Sequence, residues 1–159
     1  MLDVPSITGI AAAVGVIVGV VFTVLQLRDI AKTRHTELAL ELHSTWTREE
    51  MVEPFLKVMN LQFEDYTDFK KRYGSYLSES PEQTALVAVI NHFEAMGYLL
   101  QNKMIDFRLV ELLPAGMTWK KIKPIVEGIR EQFNDPRFHE WFEYLYNEMQ
   151  KREQRLRQI

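Results

Sequence analysis

The sequence predicts an all-α protein, with a single N-terminal transmembrane helix continuing into a cytoplasmic helical bundle. Three observations carry this. The stretch Ile7–Leu27 contains no Asp, Glu, Lys, Arg or His. Beyond it, apolar residues recur every three or four positions, and no stretch alternates as a half-buried strand does. Prolines and capping residues then fall at helix-length intervals, notably at Thr47, Pro81, Asp106, Thr118 and Asp135.

Pro5 and Ser6 suit a helix start, because proline in a first turn lacks only an N–H that would be unpaired anyway. At the α-helical rise, Ile7–Leu27 would be roughly 32 Å long, enough for a hydrocarbon core of ~30 Å. A cleaved signal peptide would carry a basic region before a shorter apolar core, and Met1–Pro5 holds no Lys or Arg. Burial in a large soluble core is the other reading, but the rest of the chain is too small to wrap a helix that is apolar all round. Arg28, Lys32 and Arg34 form a basic flank on the C-terminal side, against Asp3 on the other. Basic residues beside a span stay inside, which predicts a plasma-membrane, single-pass protein with its N-terminus outside and its main domain cytoplasmic.

Within the span Ala11, Gly15, Gly19 and Thr23 recur every fourth residue and share one face. Such small-residue patterns let two helix backbones approach closely, so these residues are the expected helix–helix contact. The predicted partners are therefore membrane lipid and either other membrane protein subunits or a second copy.

The expected division is 1–27 as terminus and span, 28–46 as a juxtamembrane helix, 47–150 as the helical domain and 151–159 as a basic tail. Leu27, Ile30, Arg34, Leu38, Leu42 and Trp46 make the stripe of the juxtamembrane helix. Thr47 with Glu50 fits a capping box opening a helix to about Asn60, in which Pro54 implies a kink. A short helix over Thr67–Leu77 follows. From Pro81 to about Lys103 the core stripe is Leu86, Val89, Ile90, Phe93, Gly97 and Leu100. Asp106 caps a short helix ending near Leu113, and Pro114 and Gly116 break the chain there. Thr118 caps the next helix, Trp119–Phe133, with Ile122, Val126, Ile129 and Phe133 in register. Asp135 and Pro136 then open the last helix, which runs to about Arg155 with Phe138, Trp141, Phe142, Leu145 and Met149 inward.

Composition narrows the function classes. The chain has no Cys, which excludes disulfides, thiolate catalysis and Cys-type zinc sites. A net charge of -3 offers no electrostatic footprint for nucleic acid, so no nucleic-acid partner is expected. There is no Gly-x-Ser-x-Gly and no glycine-rich phosphate loop. His139 and Glu143 share a helix face and could supply two metal ligands, but the paired Glu-x-x-His pattern of helical carboxylate sites is missing. His35 and His43 are two turns apart, too far for one ion. No metal, cofactor or catalytic residue is predicted.

Glu94 borders the buried face of its helix between Phe93 and Gly97. A half-buried carboxylate needs a cation or donor, and Arg130, beside the apolar Ile129, is the expected partner in a structural pair. Asn91 is expected to hydrogen-bond between helices. The basic run from Lys151 to Arg157 complements a helix C-terminus.

The pattern Asn91-x-Phe93-Glu94-x-x-Gly97, followed by Trp119, Pro124, Arg130 and then Phe142, Glu143 and Leu145, resembles an uncharacterised family of small bacterial and archaeal membrane proteins. That resemblance implies one N-terminal span and a helical cytoplasmic domain, with no established activity or cofactor. The function expected is a non-enzymatic one. The chain reads as a membrane-anchored interaction or accessory subunit of a larger membrane protein complex, or alternatively as a homo-oligomeric membrane-surface scaffold or sensor.

Overall fold

The structure, a computed structural model, describes residues 4–158. Within its first helix the side chains of 4–13, 31, 32, 35, 36, 38, 39, 42, 43 and 47 lie outside that description. Among the described residues the regular structure is helical throughout, with no strand. The chain divides into two compact units, Met1–Leu38 and Ala39–Ile159.

The first unit consists of the greater part of helix α1, Val4–Thr47. Among the described residues no helix is long and apolar enough to cross a membrane. This corrects the expectation of an N-terminal transmembrane helix, and with it the single-pass plasma-membrane location and the cytoplasmic placement of the domain. The described part of α1 is not apolar throughout: charged residues follow its apolar stretch without a break in the helix. Apolar side chains are described from Val14 to Leu27, after which α1 continues through the exposed Arg28, Asp29 and Arg34. With no span among the described residues, the flank Arg28, Lys32 and Arg34 no longer serves as a topology signal; the side chain of Lys32 lies outside the described residues.

The second unit is a helical domain built around α4, Pro81–Gln101. Its Ser80 side chain accepts from the Gln83 amide at 3.2 Å, and Pro81 occupies the first turn. The apolar spacing of α4 buries Leu86, Val89, Ile90 and Phe93 completely. Each such side chain contributes roughly 1.5–3 kcal/mol of transfer free energy. On one side α4 packs against α2, Glu49–Asn60, and on the other against α7, Glu140–Leu156. A further helix, α6 (Ala115–Phe133), packs on α7 and on α3, Tyr66–Tyr73. The short α5, Phe107–Val110, is capped by the Asp106 carboxylate, which accepts from the Arg108 amide at 2.9 Å.

Trp46, at the end of α1, lies with ring centroids 5.0 Å from both Phe55 and Phe93. Phe93 stacks on Phe142 at 4.7 Å, and Phe142 meets the edge of Trp119 at 5.1 Å. This aromatic line joins α4, α6 and α7 through fully buried side chains.

Local boundaries depart from the sequence reading where side chains find other partners. Arg48, not Thr47, takes the N-cap position of α2, and it makes no side-chain cap. Helix α3 stops at Tyr73 because Gly74 adopts φ 88°, a conformation glycine takes without penalty. Helix α6 opens at Ala115, so Gly116 lies inside it, and the Thr118 hydroxyl donates back to the Pro114 carbonyl at 2.8 Å. Asp135 caps a turn, accepting from the Arg137 amide at 3.0 Å, and α7 begins only at Glu140. Phe133 is 52% exposed rather than in the core, because α6 ends there with Asn134 in a left-handed conformation. The stripe residues Leu27, Ile30 and Arg34 are exposed, while the side chains of Leu38 and Leu42 lie outside the described residues.

Candidate functional site

The polar cluster most able to do chemistry gathers at the N-terminus of α7. A helix start leaves amide donors without intrahelical acceptors. Here Glu94, from α4, supplies the acceptor. The Phe142 amide donates to its Oε2 at 2.8 Å and the Trp141 amide to its Oε1 at 3.3 Å. Gly97, one turn further along α4, makes this approach possible. A Cβ there would collide with the Trp141 backbone carbonyl. Phe93, one residue before Glu94, stacks on Phe142. The Phe-Glu-x-x-Gly pattern thus reads as a docking seam for α7, each residue meeting the same helix turn. Asn91 is exposed.

Burial raises the Glu94 carboxyl above its ordinary range, and the two amide bonds pull it part of the way back. His139 is buried beside it, with Nδ1 4.0 Å from Glu94 Oε2. Burial and the nearby Arg130 guanidinium hold His139 down to about 4, so at neutral pH it is uncharged and makes no ion pair with Glu94. On its other edge Nε2 lies 3.4 Å from the Tyr76 hydroxyl, whose own ionisation is pushed up by burial. His139 has φ 55°, a left-handed conformation that histidine tolerates better than most residues. Its ring is fixed there by Phe138, with centroids 4.0 Å apart.

Arg130, from α6, completes the arrangement. Its Nε donates to the Phe138 carbonyl at 2.9 Å, and its NH1 donates to Glu143 Oε2 at 2.8 Å. Its NH2 is buried with no hydrogen-bond partner. Glu94 and Arg130 therefore converge on one chain segment, 138–143, from two different helices. They engage separate partners rather than each other, and the ionic partner of Arg130 is Glu143. Sequence reading placed Glu94 and Arg130 in this neighbourhood but missed His139 and Tyr76 as its members. The signal for His139 is its position between the turn at Asp135 and the apolar run that starts at Trp141; Tyr76 carries none.

In chemical terms the cluster contains a carboxylate, a neutral imidazole and a phenol in sequence, but the carboxylate is committed to two backbone amides. Nothing in the cluster lowers the phenol's ionisation. Glu143, one of the two conceivable metal ligands, is committed to Arg130. Among the described residues no group of three or more His, Cys, Asp or Glu could hold a metal ion.

The small-residue face of α1 is open. At Gly15 and Gly19 an added Cβ would meet nothing within 4 Å. The Thr23 hydroxyl donates to the Gly19 carbonyl at 2.8 Å, so it is satisfied within its own helix. Ala11's side chain lies outside the described residues. The basic C-terminal run is largely paired internally, Lys151 with Glu148 at 2.7 Å and Arg152 with Glu111 at 3.0 Å.

No curated protein and no solved structure matches the chain. One family model does, over residues 10–149, from within α1 to the middle of α7. The chain belongs to the family described as Domain of unknown function (DUF4760).

Proposed function

We propose that this chain is an interaction protein, an accessory component that docks on a partner protein through the apolar stretch of α1. The observation that carries the reading is exposure. Every residue from Val14 to Leu27 is exposed, including Val16 at 66%, Ile17 at 62% and Phe22 at 59%. A helix that is apolar on all sides is stable only when other surfaces cover it. The polar cluster at α7 supports a non-enzymatic role, since its carboxylate and guanidinium are spent holding helices together.

The test is affinity purification of the full chain with chemical cross-linking and mass spectrometry of the cross-linked peptides. Ile17→Asp with Phe22→Asp should abolish stoichiometric co-purification of the partner and leave the thermal melt of the domain unchanged. Retention of the partner by that variant overturns the reading.

A second reading, self-association through α1, is favoured by the open space at Gly15 and Gly19. Replacing both with Ile would push paired backbones apart. Loss of a defined oligomer in light scattering supports this reading, and an unchanged mass rejects it.

A further inference from the structure

We draw no further inference here: the strongest candidate, the groove between α2 and the start of α4 rimmed by Glu50, Glu53, Glu79 and Glu82, is an acidic cluster with no second feature among the described residues that points to a ligand.

Discussion

The Phe142 amide donates to Glu94 Oε2 at 2.8 Å, across 48 residues of sequence. Glu94 is thus the N-cap of a helix to which it does not belong. The position immediately before α7 is His139, which makes no side-chain cap. An acceptor brought in from α4 fixes where α7 starts and how it lies on α4 together. The negative carboxylate also faces the positive end of the helix dipole, an interaction of about 0.3–1 kcal/mol when exposed and more when half-buried.

Removing that acceptor should therefore destabilise the whole domain. Glu94→Ala leaves buried amides of α7 unpaired, at a cost of about 1–3 kcal/mol. Glu94→Gln keeps a carbonyl acceptor and should recover part of the loss. Urea unfolding of both variants checks this. Equal losses for Ala and Gln would mean that the charge, not the acceptor geometry, holds the helix.

Gly97 should tolerate no side chain. In Gly97→Ala the new methyl meets the Trp141 carbonyl, which is backbone and cannot swing aside, so α4 and α7 must separate. Overpacking of this kind costs typically about 1–3 kcal/mol, and a backbone obstacle puts it at the upper end. Gly116 is the control. It lies inside α6 with nothing within 4 Å of an added Cβ, so Gly116→Ala should stabilise by about 0.5–1 kcal/mol through helix propensity. Thermal melts of the two variants should move in opposite directions.

Arg130 is coupled to Glu143 far more strongly than to Glu94. A double-mutant cycle over Arg130→Ala and Glu143→Ala should give a coupling energy on the order of 1 kcal/mol, because the pair is half-buried at one end and hydrogen-bonded. The cycle over Arg130 and Glu94 should give markedly less, as each residue satisfies a different group. A larger value for the second cycle would show that the two act as a direct pair.

The helical class and the core were legible because periodicity survives tertiary packing. Leu86, Val89, Ile90 and Phe93 recur at helical spacing and are all buried, as are Ile122, Val126 and Ile129. Helix ends were less legible, because a cap is a competition among neighbouring side chains. Asp106 and Ser80 won theirs locally. Thr118 did not, since its hydroxyl bonds back to Pro114. The Glu94 cap on α7 is non-local and leaves no trace in spacing. The N-terminal stretch was misread for a different reason. Freedom from charge over Ile7–Leu27 marks an apolar stretch of helix, and that alone does not make the helix a membrane span. The Glu94–Arg130 expectation reached the right neighbourhood because both residues border buried faces, yet it could not see that the segment between Phe138 and Glu143 would stand between them.

Stability should fall as the solution is acidified, and two histidines set the window. His92 is buried against Trp46 with its Nε2 unpartnered, and burial holds it down to about 4 from an ordinary 6.5. His139 is held down to about 4 by burial and by Arg130. For both, the unfolded chain takes up a proton below its ordinary value while the folded chain refuses it. The stabilisation is therefore complete above pH 6.5 and is lost as pH falls towards 4. Each site contributes at most on the order of 3 kcal/mol across that interval. Glu94 has the opposite sign, because a carboxyl raised on folding binds its proton more readily in the folded chain. It partly offsets the histidines as the pH drops. Denaturant midpoints measured from neutral pH down to acid should fall most steeply below pH 6.5. His92→Gln should flatten that fall, and Glu94→Gln should steepen it by removing the offset. An acid profile left unchanged by His92→Gln would show that the ring beside Trp46 takes up its proton as readily in the folded chain as in the unfolded one.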